Sequence, residues 1–368
     1  MLAMHRIDRG LGGMRIWFLL ALGSVTAVAC QAGDTSHGTT TGAGSSSGGG
    51  DSGVTQPVVT TLSGRSRFGL AFGGVSGNLY VTDFEGNQID EIALDGQKTI
   101  LAGNGIAGYL DGPANSAEFG ELVGVVLDGE GNVYVSDDES NTIRKLDIAG
   151  NVTTVAGDGH AGDLDGMGTS AEFNAPWGIA LDGSGNIFVA DSRNNRIRKI
   201  DATGLVTTVA GNGSPGFRDG SVGRTGSAEF REPLGVAVDA NGNLYVADTG
   251  NQRIRQISAA AVSTLAGNGV DGGFLDGQAS KAEFNGPFGL AVDSVGNVFV
   301  ADAYNNRVRS LSAQGVVNTL AGNGQEGKVD GTGGADGNAE LTLPLGVALG
   351  VGAVLYVSGN DQIRKISW

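Results

Sequence analysis

A short apolar pattern that ends in an acidic residue recurs six times along the chain, and it constrains the fold more than any other feature. The copies end at Asp83, Asp137, Asp191, Asp248, Asp302 and, in a degenerate form, Gly359. Successive copies lie 54, 54, 57, 54 and 57 residues apart. Self-similarity at a nearly constant spacing indicates a repeat architecture in which each copy forms one supersecondary unit.

Each repeat contains four apolar runs of strand length, separated by turn residues. In the third repeat these runs are residues 178–182, 186–190, 196–200 and 205–210. The chain has 66 glycines among 368 residues, and glycine adopts turn conformations at little steric cost. Six repeats of four strands predict an all-β fold, a six-bladed β-propeller with four-stranded blades over residues 57–368.

The two ends of this region complement each other. The last repeat stops at Trp368 after three strands, whereas residues 58–62 form a spare copy of the fourth strand. We therefore expect this N-terminal strand to complete the last blade and close the ring. Closure of this kind removes the exposed strand edges that promote aggregation.

The N-terminal segment predicts export. Arg15 precedes an apolar run of residues 16–29, which is too short to span a membrane but suits a signal peptide over residues 1–29. The ending at Cys30 resembles a bacterial lipobox and implies lipidation of this cysteine, the only one in the chain. Residues 30–56 predict a flexible, disordered Gly/Ser/Thr tether. We expect a protein anchored by lipid to the outer membrane; the alternative is secretion after cleavage near Ala29.

The repeats resemble NHL repeats. They carry Pro-x-Gly-(Val/Ile)-Ala-(Val/Leu)-Asp, then Gly-Asn-(Leu/Ile/Val)-(Tyr/Phe)-Val-Ala-Asp, then Asn-x-Arg-Ile-Arg, with some decay among copies. The resemblance covers residues 57–368 and implies a six-bladed propeller. It does not imply one function, because NHL propellers include recognition platforms, sensor domains, RNA-binding proteins and a lyase.

Composition excludes several functions. A net charge of −16 repels phosphate backbones and argues against a nucleic-acid partner. Of the three histidines only His160 lies in the propeller region, so a zinc site built from histidines is excluded. We expect no cofactor, with calcium as the exception considered next, and a monomeric protein.

Five long links between repeats, residues 103–123, 157–177, 211–234, 267–288 and 322–345, share one face of the predicted ring. They carry 17 acidic and 5 basic residues. Each contains Ala-Glu-(Phe/Leu) and, at a corresponding position before it, an Asp-Gly pair, whose aspartates are Asp111, Asp165, Asp219, Asp276 and Asp330. The aspartates either hold turns, with the Phe pinning each loop to its blade, or bind calcium, which prefers carboxylate oxygens. The Gly-x-Gly-x-x-Gly in these loops lacks the helix that a nucleotide site requires.

The aspartates that end the second strands precede strands rich in arginine. Arg196 and Arg198, Arg253 and Arg255, and Arg307 and Arg309 are positioned to pair with such aspartates between blades. We expect a structural ring of ion pairs, interrupted in the first repeat, which has no arginine there, and in the last, which has Gly359.

One position varies among the repeats at the predicted mouth of the central channel. It is the residue before the glycine of each first strand: Phe68, Val123, Trp177, Leu234, Phe288 and Leu345. Its aromatic members are typical anchors of binding surfaces. The alternative is that all six are buried and pack the loops.

Together these features predict a lipid-anchored binding module outside the cytoplasm. Its acidic loop face would meet a basic protein, peptide or cell-wall component, and the membrane would be contacted only through the lipid. The alternative is a calcium-dependent lactonase that resembles the gluconolactonase family, which is also six-bladed. Convergent Glu, Asp and Asn side chains around one cation at the channel mouth would favour the lactonase, and an aromatic, metal-free mouth would favour the binding module.

Overall fold

The computed structural model describes residues 56–63, 68–74, 76–360 and 362–368. The predicted signal peptide, the predicted lipidation site Cys30 and the predicted tether up to residue 55 lie outside the described residues. Among the described residues, no helix is long and apolar enough to cross a membrane.

Six antiparallel sheets, one for each repeat, form the blades of a propeller. The first strand, β1 (Val58–Ser63), belongs to blade 6. Blade 1 contains β2 (Leu70–Phe72), β3 (Leu79–Asp83), β4 (Gln88–Ile92) and β5 (Lys98–Ala102). Blade 2 contains β6 (Gly112–Pro113), β7 (Leu122–Leu127), β8 (Val133–Asp137), β9 (Thr142–Leu146) and β10 (Asn151–Ala156). Blade 3 contains β11 (Gly166–Met167), β12 (Pro176–Leu181), β13 (Ile187–Asp191), β14 (Arg196–Ile200) and β15 (Leu205–Ala210).

The remaining blades repeat this order. Blade 4 contains β16 (Gly220–Ser221), β17 (Pro233–Val238), β18 (Leu244–Asp248), β19 (Arg253–Ile257) and β20 (Ala261–Ala266). Blade 5 contains β21 (Gly277–Gln278), β22 (Pro287–Val292), β23 (Val298–Asp302), β24 (Arg307–Leu311) and β25 (Val316–Ala321). Blade 6 contains β26 (Gly331–Thr332), β27 (Pro344–Leu349), β28 (Val354–Gly359) and β29 (Ile363–Ser367), together with β1. Single 3-10 turns cover Gly168–Ser170, Ser192–Asn194, Thr249–Asn251 and Ala303–Asn305.

The hydrophobic core lies between neighbouring blades. One cluster joins Ala190 and Ile197 of blade 3 to Val236 and Val246 of blade 4, and all four side chains are buried. A blade buries both of its faces against its neighbours, so its second strand is buried throughout, as in β13. The predicted six-bladed all-β fold is confirmed.

The predicted closure of the ring is also confirmed. β1 pairs with β29 in antiparallel register, with Val59 opposite Ile366 and Thr61 opposite Arg364. Val59 is fully buried in the core between blades 5 and 6. The first and last strands of the propeller therefore share one sheet.

Five blades have a fifth strand that the sequence analysis did not predict. The two-residue strands β6, β11, β16, β21 and β26 come from the long links and pair with the outermost strand of the blade that follows. In blade 3, for example, Gly166 lies opposite Val206 and Met167 opposite Leu205. Each long link thus runs along the outside of the next blade before it enters the inner strand.

Glycines bring the six inner strands together at the ring axis. A Cβ atom on Gly178 of β12 would lie 2.5 Å from the carbonyl oxygen of Leu234 in β17, a distance that real side chains do not adopt. The corresponding glycine of every other blade meets the carbonyl of the next blade in the same way, and Gly346 meets Phe68. The residue before each of these glycines is therefore held beside the channel.

Candidate functional site

The structure brings the predicted mouth residues to one end of the channel. Leu234, Phe288 and Leu345 are buried in a single cluster with Ala303, and four partly buried residues pack against them: Phe68, Trp177, Tyr304 and Leu343. We call these eight residues the axial cluster. Val123 is also buried but is not part of this cluster.

Aromatic rings from alternate blades close the channel mouth. Trp177 of blade 3 makes edge contacts with Phe68 of blade 1 and with Phe288 of blade 5, each at 5.9 Å between ring centroids. Phe84 lies 4.8 Å from Phe68, and Tyr304 lies 6.0 Å from Phe288. Edge-to-face packing of this kind is favourable for aromatic rings. Sequence analysis missed Phe84 and Tyr304, which lie just past the second strands, where the repeats differ.

Burial divides the six predicted residues into two groups. Val123, Leu234, Phe288 and Leu345 are 5–6% exposed, so they serve mainly to pack the mouth. Phe68 and Trp177 are partly exposed. A ligand that approaches along the axis therefore meets the rings of Phe68 and Trp177, with Phe84 and Tyr304, also partly exposed, beside them.

A carboxylate that the sequence analysis did not single out lies at the same end of blade 2. Asp138 occupies the repeat position of Thr249, whose hydroxyl donates a 2.6 Å hydrogen bond to the carbonyl of Pro287 next to Phe288. The Asp138 Oδ1 atom is buried without a hydrogen-bond partner. Burial, with the negative charge of Glu121 nearby, raises the pKa of Asp138 to about 7, and Arg193 opposes this shift. Its charge is therefore poised to change near neutral pH.

The five loop aspartates lie in five separate blades, and each is engaged by an arginine. The guanidinium groups of Arg144, Arg198, Arg255, Arg309 and Arg364 lie 2.6, 2.7, 2.7, 2.5 and 2.8 Å from Asp111, Asp165, Asp219, Asp276 and Asp330, respectively. Among the described residues, no three His, Cys, Asp or Glu side chains converge in a way that could hold a metal ion. The five aspartates considered as calcium ligands therefore do not converge on one site, and each already forms an ion pair with an arginine.

These arginines fasten the long links to the blades. In blade 3, Arg198 is fully buried, donates to the backbone carbonyls of Leu164 and Glu172 at 2.9 and 3.0 Å, and lies 5.2 Å from the ring centre of Phe173. Phe173 belongs to Ala-Glu-Phe and is itself fully buried. The prediction that this phenylalanine pins the loop is confirmed.

The strand aspartates pair with the same arginines, but inside each blade. Arg198 Nη1 lies 2.7 Å from Asp191 Oδ2, and both residues belong to blade 3. The prediction of pairing between blades was wrong, because adjacent antiparallel strands place the two residues in one sheet. The first arginine of each sequence pair, such as Arg253 before Arg255, does not contact the strand aspartate. Arg253 donates to the carbonyl of Asn268 and stacks on Phe217.

Blades 1 and 6 depart from this arrangement, as their sequences suggested. In blade 1, Asp90 takes the arginine position, and Lys98 lies 2.7 Å from Asp90 and 3.3 Å from Asp83. In blade 6, Gly359 takes the aspartate position, and Arg364 keeps its loop partner Asp330. Blade 1 therefore has a carboxylate in place of the arginine, and blade 6 has no carboxylate at the end of its second strand.

Comparison with known proteins agrees with this architecture. The NHL repeat model matches residues 173–200, 230–257 and 284–309. Each match runs from the end of a long link to the third strand of a blade. The chain is a β-propeller that contains NHL repeats.

Two curated relatives resemble parts of this NHL propeller. Protein SUPPRESSOR OF QUENCHING 1, chloroplastic, of Arabidopsis thaliana is 35% identical over 205 residues, which is 52% of this chain and 19% of that protein. NHL repeat-containing protein 2 of Homo sapiens is 28% identical over 329 residues, covering 79% of this chain and 45% of that protein. The chain spans less than half the length of either relative.

Solved structures share the fold at low sequence identity. An auxiliary nutrient binding protein from Bacteroides thetaiotaomicron is 14% identical with a TM-score of 0.62, covering 85% of this chain and 76% of that one. A gluconolactonase from Xanthomonas campestris is 14% identical with a TM-score of 0.55, covering 85% and 94%. At these identities the likeness concerns the propeller fold, which serves both binding proteins and enzymes.

Proposed function

We propose that the NHL propeller is a binding module that works outside the cytoplasm and captures a basic ligand at the mouth of its channel. The ligand is a protein, a peptide or a cell-wall component that carries an amine or guanidinium on an apolar stem. The observation that carries this proposal is the axial cluster, whose partly exposed aromatic rings lie at the same end of the ring as the buried carboxylate of Asp138.

The chemistry of the mouth suits such a ligand. Aromatic faces attract cations and pack against apolar stems, and both effects strengthen when water is excluded. The unpartnered Oδ1 of Asp138 would accept a hydrogen bond from the cation, which would stabilise the charged carboxylate. The negative net charge of the chain would speed the approach of a cationic partner at low ionic strength.

Binding of two short peptides tests this proposal. We expect a Lys/Phe hexapeptide to bind more tightly than a Glu/Phe hexapeptide of the same length, measured by fluorescence anisotropy. Trp177→Ala should weaken the Lys/Phe peptide about tenfold or more, as expected for a central aromatic anchor. Phe217→Ala is the matched control, because Phe217 is an exposed ring on the same loops that covers Arg253 rather than the axis. Equal loss in both variants would contradict a site at the mouth.

A calcium-dependent lactonase remains the alternative, and it makes a different prediction. If calcium binds the folded protein, a concentration of 100 times its Kd adds about 2.7 kcal/mol to the free energy of unfolding. The melting temperature in calcium would then exceed that in chelator by several degrees. The binding-module proposal expects the same melting temperature in both.

The proposed location rests on Cys30, which lies outside the described residues. We propose that lipidation of Cys30 anchors the propeller to the cell envelope through the tether. Replacing it, as in Cys30→Ser, should move the protein from the membrane fraction to the soluble fraction of a bacterial host. Unchanged fractionation would contradict the anchor and favour secretion.

A further inference from the structure

In four of the five long links, the carbonyl oxygen of one loop glycine accepts a hydrogen bond from a side chain of the blade that follows. The glycines are Gly162, Gly216, Gly273 and Gly327, and their donors are Asn194, Asn251, Asn305 and Thr342, at 2.6, 2.8, 2.9 and 3.1 Å, respectively. The three asparagines occupy the same position in the turn after the second strand, whereas Thr342 directly follows the link's Ala-Glu-Leu. Each bond fastens a long link to its blade.

The link to blade 2 lacks this bond because both possible donors are truncated. Gly108 is the corresponding glycine. Ser140 stands where blades 3, 4 and 5 have asparagine, and Gly120 stands where blade 6 has Thr342. The Ser140 hydroxyl lies 2.8 Å from Thr142 Oγ1 instead. Among the side chains that the structure describes, none donates to the carbonyl of Gly108.

A cleft lies where the missing side chains would be. It has a volume of about 240 Å³, is open to solvent on one side, and is lined by Ala107, Gly108, Tyr109, Gly120, Glu139 and Ser140. This is far more room than one water molecule needs. The two truncated positions and the glycine without a side-chain donor therefore share one cleft.

The side chains on the walls of this cleft offer acceptors rather than free donors. Gly108 presents its carbonyl, and Glu139 presents an exposed carboxylate. The Tyr109 hydroxyl shares a hydrogen bond with Thr154 Oγ1 at 3.2 Å, and the Ser140 hydroxyl is engaged as described above. A ligand in the cleft must therefore bring its own donors.

Charge in the cleft favours a cation with an apolar stem. The buried Arg144 lies 5.0 Å from the ring centre of Tyr109 but is already paired with Asp111 and Asp137, at 2.6 and 3.6 Å. Glu139 therefore gives the cleft a net negative charge. The ring of Tyr109 is 47% exposed and offers an apolar wall on which an alkyl chain can lie.

We propose that this cleft binds a primary ammonium group on an unbranched alkyl stem, as carried by a lysine side chain or a free diamine. The ammonium donates to the Gly108 carbonyl and to the Glu139 carboxylate, and its stem lies along the ring of Tyr109. The ligand thus supplies the hydrogen bond that an asparagine supplies in blades 3, 4 and 5. The site is separate from the axial cluster and does not rest on the function proposed for that cluster.

Saturation-transfer NMR on the full chain tests this proposal with cadaverine as the probe. We expect transfer to cadaverine and none to its diacetylated form, which carries no charge. Ser140→Asn introduces the side chain of the other blades, which should fill the cleft, pair with the Gly108 carbonyl and abolish the transfer without lowering the melting temperature. Ser184→Asn is the matched control, because this exposed serine corresponds to Asn241 of blade 4 and lies in the turn between β12 and β13, at the opposite face of the ring. Equal transfer in both variants would overturn the proposal.

A second pair of variants tests the role of charge. Glu139→Gln should weaken the binding of cadaverine about tenfold or more, because a hydrogen bond to a charged acceptor is the stronger one. Glu130→Gln removes an exposed glutamate at the other end of β8 and should leave the affinity unchanged. Equal weakening in both variants would show attraction to the overall negative charge and would contradict a specific cleft.

The variant Trp177→Ala separates this cleft from the channel mouth. We expect it to keep the transfer to cadaverine at the wild-type level, whatever its effect on the peptides described above. Loss of transfer in Trp177→Ala together with its retention in Ser140→Asn would overturn the proposal, since the ammonium would then bind at the mouth.

A second probe distinguishes the two sources of the ammonium group. Nα-acetyl-lysine methylamide carries the same stem with peptide groups attached. Transfer to this probe that Ser140→Asn abolishes would identify the side chain of a lysine residue as a ligand of the cleft. Transfer to cadaverine alone would identify a free diamine, and transfer to neither probe would overturn the proposal.

Discussion

Two consecutive aspartates at the end of β8 illustrate how environment decides the state of a carboxyl group. Asp137 accepts hydrogen bonds from the N–H groups of Gly120 and Ser140, and it faces Arg144 at 3.6 Å. Asp138 has an oxygen without any such donor, and the neighbouring charge of Glu121 is repulsive. The first residue is built into the scaffold, whereas the second keeps a buried oxygen without a hydrogen-bond partner.

The raised pKa of Asp138 makes stability depend on pH. Between about pH 4 and pH 7 the folded protein holds a proton at Asp138 that the unfolded chain has lost, because the two pKa values are about 7 and 3.8. Stability therefore falls as the pH rises through this range, by at most about 4 kcal/mol. Asp138→Asn should remove this part of the slope in urea unfolding measured from pH 4 to 8. Glu85→Gln, an exposed carboxylate just past the corresponding strand of blade 1, should leave the slope unchanged.

We expect the buried arginine–aspartate pairs to contribute more to the free energy of unfolding than the half-exposed pairs with the loop aspartates. Arg255→Met leaves Asp248 buried without its cation and should cost about 3–5 kcal/mol of unfolding free energy. Asp219→Asn removes only the half-exposed partner, 47% exposed, and should cost about 1 kcal/mol or less. Urea denaturation midpoints measure both. Similar losses in the two variants would show that the loop pair, and not the buried pair, holds the structure.

At the scale of strands, the inner glycines decide how closely neighbouring blades approach. Gly178→Ala places a Cβ atom against the carbonyl of Leu234 and should lower the unfolding free energy by about 1–3 kcal/mol, since overpacking forces the backbone to move. Gly183→Ala is the matched control in the same blade, because no atom lies within 4 Å of its Cβ position. Thermal melts that show equal losses would contradict close approach at the axis.

The strands show where prediction from sequence succeeds and where it fails. Apolar runs of five or six residues were predicted to be strands, and in blade 3 the third and fourth runs match the structure at both ends. The two-residue strands such as β11 were not predicted, because Gly166 and Met167 carry no periodic pattern and pair only after the blade has formed. Phe84, Tyr304 and Asp138 were missed because they vary among repeats, and their roles depend on neighbouring blades.

At the scale of the whole molecule, one short strand holds the ring closed. Val59→Asp puts a charge into the core between blades 5 and 6 and should lower the melting temperature and promote aggregation by exposing the edge of β29. Val58→Asp is the matched control, since the Val58 side chain is 47% exposed. Differential scanning fluorimetry and size-exclusion chromatography should separate the two variants. If they behave alike, the ring does not depend on β1.

Ring closure also orders folding relative to synthesis. The ribosome makes β1 before any other strand of the propeller, yet the partner of β1 is β29, about 300 residues further along the chain. Blades 1 to 5 find all their longer strands within their own repeats and can form while translation continues. Blade 6 cannot form until residues 363–367 have emerged. Until then β1 has no partner strand in its own blade, and the last folding step joins the part of the propeller that is made first to the part that is made last.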